Sequence, residues 1–221
     1  MTGTSVNSGS GTALTSTEIE EALGFLAESA KGVAQAVHGL SETQLIHREN
    51  PDRWSIADVL EHLALLEELF GNAIVMRLQE VPSGAPARSL SLEDARLRSL
   101  VSDRTVSVIT PGRISFAKAP QGIAPTGRWT PVDSLRRFRN GRNRTAEFLR
   151  TASAGLRARV KEHPALGMLD GYQWVLFLAA HSVRHTKQIL ELKAEPGFPG
   201  QDRGYFAVPS ETVEFPVDER G

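Results

Sequence analysis

Four long stretches of the chain carry apolar residues at helical spacing, and each opens on a polar cap. In the first, Thr15 and Glu18 have the spacing of a capping box, and Ile19, Leu23, Leu26, Val33 and Val37 follow as a stripe through Gly39. Gly24 and Gly32 weaken this helix from within. In the second, Ser55 and Asp58 form an N-cap pair ahead of Ile56–Gln79, whose broad apolar face contains Ile56, Val59, Leu60, Leu63, Leu66, Phe70 and Ile74. His62 falls inside that face, so its imidazole should point into the protein. Glu67 falls at its centre, where a carboxylate without a partner is costly. The third helix starts at Thr130-Pro131-Val132-Asp133, which combines a capping hydroxyl, a first-turn proline and a first-turn acid, and continues to about Thr151. Its stripe of Leu135, Phe138 and Leu149 includes Arg142, which makes Arg142 the expected partner of Glu67. The fourth, framed by Asp170 and Gln173, covers Tyr172–Leu192, the most apolar segment of helical length.

Four capped amphipathic helices with one long connection between the second and third predict an all-α four-helix bundle spanning residues 15–195. The connection, Pro82–Trp129, is rich in Pro, Gly and Ser. It offers one short helix, Leu92–Val101, with Ser91 and Asp94 as its cap, and an extended piece near Ile114 and Phe116. Residues 1–14 have little to bury and read as a disordered lead-in, and residues 196–221 as a tail able to lie against the body.

With 221 residues, 40% hydrophobic and 23% charged, the chain suits one soluble domain with a proper core. A formal net charge of -1 argues against a polyanion binder, and the RRFRNGRNR cluster at Arg136–Arg144 reads as a solvated face, so no nucleic-acid partner is expected. The absence of cysteine excludes disulfides, thiolate metal sites and cysteine nucleophiles. No basic, apolar leader and no apolar run of membrane-spanning length is visible, which predicts a cytoplasmic protein without a membrane partner.

His181 and His185 lie one turn apart on one helix face, with Gln188 on the same side. Two ligands do not make a site, and His62 is the natural third. Together they would offer three neutral nitrogen donors from two helices, leaving coordination positions open for water or substrate. Against this stands the plainer reading of three core histidines, each satisfied by a hydrogen bond. The residues between the paired histidines are Ser182, Val183 and Arg184, so the glutamate of the HExxH protease motif is missing. Asp58 could orient His62, although its position favours capping. Gln188 could hold a ligand histidine or simply pack. His38, His47 and His163, near helix ends or turns, are assigned surface or capping roles.

Three blocks, WSIADVLEHLALLE at Trp54–Glu67, APTGRWTPVDSLRRFRNGR at Ala124–Arg142 and HPALGMLDGYQWVLFLAAHSVRHTKQILE at His163–Glu191, resemble the DinB-like four-helix-bundle family, also described as the DinB and YfiT type. The resemblance implies an up-down-down-up bundle in which residues matching His62, His181 and His185 bind a divalent metal: zinc, nickel, iron or manganese. It implies a homodimer acting on a small-molecule substrate, since relatives include putative metal-dependent hydrolases and thiol transferases and isomerases that use bacillithiol, mycothiol or glutathione. Two functional classes therefore stand: a metal-dependent thiol S-transferase or hydrolase, and a non-catalytic metal- or ligand-binding stress-response protein. In the first, a low-molecular-weight thiol would need a cation for its carboxylates, and Arg184 or an arginine of the third helix would supply it.

Overall fold

The computed structural model describes residues 13–71, 79–80, 93–104, 119, 122–151 and 155–200. In chain order these form α1 (Ser16–Val37), α2 (Glu42–Ile46), α3 (Ile56–Leu69), β1 (Gln79–Glu80), α4 (Asp94–Ser102), α5 (Pro131–Thr151), β2 (Arg159–His163), β3 (Gly167–Asp170) and α6 (Gly171–Lys193).

Local polar chemistry sets most of the helix starts. Thr15 and Glu18, Ser55 and Asp58, and Asp170 and Gln173 each close a full capping box, as the sequence spacing predicts. The Thr130 hydroxyl accepts from the Asp133 backbone N–H at 3.1 Å at the head of α5. At α4 the expectation is corrected. The helix starts after Glu93, with no side-chain cap, and Asp94 is used elsewhere: its carboxylate accepts from Arg157 and Gln173.

Of the second predicted helix, Ile56–Gln79, residues 72–78, including Ile74, lie outside the described residues. Regular α-helix ends at Leu69, the turn widens at Phe70–Gly71, and Gln79 sits in β1, paired with Val160 of β2. The sequence also gave no warning of α2 or of the three-stranded antiparallel sheet β1–β2–β3. The turn expected at His163–Gly167 is the β2–β3 hairpin, closed by Gly167 at φ +75°. The predicted extended piece at Ile114 and Phe116, and residues 1–12 and 201–221 of the two ends, lie outside the described residues. Leu14 packs on the core, and the start of the tail lies against the body: Phe198 meets His47 edge-on and the Pro199 carbonyl accepts from Gln44.

Pairwise contacts fix the direction of the four long helices. Along α1 and α6, Glu18 meets Tyr172, Gly32 faces Thr186 and Ala36 meets Lys193, so these two run parallel. Along α3 and α5, Glu68 meets Arg137, Glu67 meets Arg142 and Phe70 meets Phe148, so these also run parallel. His62 and His181, with Trp54 against His185, place α3 antiparallel to α6. The result is the up-down-down-up bundle, and parallel α3 and α5 are why a long connection must lie between them.

At the bundle's centre Arg142 is 2% exposed and touches every long helix. Its Nε donates to Glu67 Oε1 at 2.8 Å, Nη1 donates to the Leu26 carbonyl and Ser29 Oγ, and Nη2 donates to the Leu178 carbonyl and Ser182 Oγ. Thr145 donates to the second Glu67 oxygen at 2.9 Å. Gly141 lets α3 approach this closely, since a Cβ there would lie 2.5 Å from that of Glu67. Among the described residues no helix is long and apolar enough to cross a membrane.

Arg142→Met alone leaves the Glu67 carboxylate buried without a cation and should cost about 3–5 kcal/mol. Glu67→Leu added to Arg142→Met should recover most of that loss, because Ser29, Ser182 and Thr145 each retain a backbone carbonyl acceptor. Urea unfolding of the two variants beside wild type measures both quantities.

Candidate metal centre

His62 comes from the middle of α3, and His181 and His185 come from successive turns of α6. The capping box at Ser55–Asp58 and the α3–α6 packing bring them together. One nitrogen from each lies within 4.8 Å of the others, with His62 Nε2 2.9 Å and His185 Nε2 3.0 Å from His181 Nε2. His62 and His185 are buried, and His181 is half-buried.

The outer nitrogens settle the proton positions. His62 Nδ1 lies 2.7 Å from the carbonyl oxygen of Ile123, which can only accept, so this nitrogen carries the hydrogen. His185 Nδ1 lies 2.9 Å from Gln188 Oε1, and Arg104 Nη1 donates to the same oxygen at 3.3 Å, so this nitrogen too is a donor. Both Nε2 atoms therefore turn lone pairs towards His181 Nε2. A single proton on that atom satisfies at most one of them well, whereas a cation among the three satisfies all. Nitrogens held at about 2.0–2.1 Å from a common ion are about 2.9–3.4 Å apart for N–metal–N angles of about 90–109°, and the two short spacings lie at the narrow end of that range.

Burial holds all three rings neutral at physiological pH. Desolvation pushes His62 down to about 4 against the pull of the Ile123 carbonyl. Desolvation also holds His181 and His185 well below the usual imidazole range, reinforced by the neighbouring rings and by the positive charges of Arg184 and, for His185, Arg104. Neutral imidazole is the form that ligates metals. Trp54 packs over His62 and His185, with centroids 4.9 and 6.3 Å away, and Phe177 lies 5.2 Å from His181.

The other residues singled out from sequence fall as follows. Gln188 orients His185. Asp58 caps α3 and pairs with Arg48 at 2.8 Å, away from any ligand role. Arg184 donates to the Asp103 carbonyl at the end of α4, and its charge is one of the smaller influences that lower the pKa of His181 and His185. His38 and His47 terminate α1 and α2, as expected of capping positions. His163 ends β2 at the hairpin turn, its Nδ1 accepting from the Ala165 and Leu166 N–H groups, but it is buried against Trp174 and Phe177 and not on the surface. Burial lowers its pKa to about 4.

Sequence reasoning missed Trp54, Glu61 and the Ile123 carbonyl. Glu61 falls on the helix face opposite the apolar stripe, so its burial, 2% exposed, had no signal in the pattern. Nothing in the sequence pointed to a backbone carbonyl across a long connection.

The chain is 25% identical over 159 residues to the uncharacterized protein YuaE of Bacillus subtilis (strain 168), covering 70% of this chain and 86% of that one. No solved structure gives a significant match. The model of the DinB superfamily matches residues 25–189, a span holding all four bundle helices in whole or in large part and all three histidines, and the chain therefore belongs to the DinB superfamily.

Proposed function

We propose that this protein binds one divalent metal ion through His62, His181 and His185 and is a metal-dependent enzyme that transfers a low-molecular-weight thiol to a small electrophile. The observation that carries the metal is the pair of Nδ1 contacts, His62 to the Ile123 carbonyl and His185 to Gln188 Oε1, which assign the protons to the outer nitrogens and leave two lone pairs converging on a third imidazole. Three imidazole ligands leave positions open, and a divalent ion there supplies Lewis acidity that lowers the pKa of a coordinated thiol or water.

The chain's own residues supply the rest. Ile123 and Gln188 hold the outer nitrogens of His62 and His185 and so set the direction of the inner ones. Trp54 and Phe177 flank the rings with apolar surface that excludes water. The positive charges of Arg104, itself paired with Glu191 at 2.7 Å, and of Arg184 reach His185, and this field favours an anionic thiol cofactor over a neutral ester, which is why transfer is preferred to hydrolysis. Zinc, nickel and iron suit imidazole donors better than manganese, which prefers oxygen donors, and availability selects among them.

Elemental analysis of protein purified without an affinity tag should find about one divalent ion per chain in wild type. His62→Ala, His181→Ala and His185→Ala should each hold almost none. Conjugation of low-molecular-weight thiols to electrophiles should disappear in His185→Ala, and stoichiometric metal without turnover across a broad thiol and ester panel would favour the non-catalytic metal-binding reading.

Stability of the metal-free protein should depend on pH in a defined window. His62 and His163 titrate near 4 when folded and near 6.5 when unfolded, so between these values the unfolded chain binds more protons. Their contribution is complete above about pH 6.5 and is lost as pH falls towards 4. Thermal unfolding of metal-free protein across this range should show the midpoint falling steadily with pH, where a flat profile would mean that the imidazoles are accessible to protons in the fold.

A further inference from the structure

Glu61 is 2% exposed, precedes His62 on α3, and spends its carboxylate on the far end of the long connection. Its Oε1 accepts from the Thr126 N–H and hydroxyl at 3.0 Å each, and its Oε2 accepts from the Gly127 N–H at 2.7 Å. Arg128 completes the pairing, with its Nε 3.4 Å from Oε1. Gly127 has φ +71°, a conformation that presents its N–H to the carboxylate and that a side chain would strain. Three residues earlier than Thr126, the same segment presents the Ile123 carbonyl to His62 Nδ1.

We infer that Glu61 is a positioning residue for the metal centre: by clamping Thr126 and Gly127 to α3 it holds the Ile123 carbonyl against His62 and so fixes that ring's tautomer and direction. The physical case is one of necessity. A neutral imidazole has two nearly equivalent tautomers, and only the one protonated on Nδ1 turns a lone pair towards His181 and His185. A backbone carbonyl selects that tautomer only while it is held at 2.7 Å, and Ile123 belongs to an irregular connection with no helix or strand of its own to hold it. The carboxylate supplies the anchor. It does so from the residue next to the ligand, so that carbonyl and imidazole are referenced to the same turn of α3.

The consequence for metal affinity rests on the proposed metal site, whereas the tautomer does not. Nitrogen-15 NMR of histidine-labelled, metal-free protein at pH 7.5 reads the tautomer directly, and titration with zinc alone reads the affinity. Wild type should show His62 protonated on Nδ1. Glu61→Gln, whose amide presents a donor to the Gly127 N–H or the Thr126 donors, should show a mixture of tautomers in the folded protein and bind zinc about 10–100-fold more weakly. Gly127→Ala, which disturbs the other half of the clamp while leaving the carboxylate, should move both readouts the same way and serves if Glu61→Gln does not fold. A purely structural role would lower the melting temperature without changing the tautomer of the folded fraction. An unchanged tautomer in a folded variant, or an unchanged zinc affinity beside a wild type that binds zinc, overturns the inference. A wild type that binds no zinc sinks the metal reading, and the tautomer shift then decides the clamp by itself.

Discussion

The bundle is built around one buried cation. Arg142 reaches from α5 to Glu67 on α3, to Ser29 and a carbonyl on α1, and to Ser182 and a carbonyl on α6. An ion pair taken out of water has no intrinsic advantage over well-packed apolar residues, because desolvation offsets most of the Coulomb attraction. What it imposes is register. Leucine tolerates sliding and rotation of its neighbours, but a guanidinium with five donors in a fixed plane accepts few arrangements of four helices. Ser182 follows His181 in sequence and Glu67 lies five residues after His62. Fixing these two polar positions therefore fixes the rotation of both helices that carry the three histidines.

Above this buried pair the same logic recurs on a smaller scale. Each histidine whose outer nitrogen has an assigned partner is held by a group from outside its own inner cluster, a backbone carbonyl for His62 and an amide side chain for His185. The site is thus held at two depths. Helix register brings the rings together, and hydrogen bonds to their outer edges choose which nitrogen faces inward. The long connection matters for the second depth, because it returns to the bundle at residues 122–130 and is fastened there by Glu61 before α5 begins.

Much of this was legible in the sequence because it follows from period and local chemistry. The stripe positions, the capping boxes at Thr15, Ser55 and Asp170, the Glu67–Arg142 pair and the three-histidine set all depend on residues whose type and spacing are informative alone. What could not be read depends on chain segments meeting from a distance. The apolar pattern of the second helix runs on past Leu69, yet Gln79 pairs with Val160 in a strand, a choice made by a partner eighty-one residues away. Asp94 looked like a cap and instead serves Arg157, whose guanidinium also binds Glu18 and Asp170 and so ties α1, α4 and α6 into one corner. The Ile123 carbonyl, a backbone atom in an irregular segment, has no sequence signature whatever.

The central claim is that three imidazoles share one cation, and crystals of the full chain grown with a divalent transition metal would test it through anomalous diffraction at that metal's absorption edge. The account predicts a single strong peak about 2.0–2.2 Å from the Nε2 atoms of His62, His181 and His185 together. A well-ordered cluster with its imidazoles hydrogen-bonded to one another and no peak among them would contradict it.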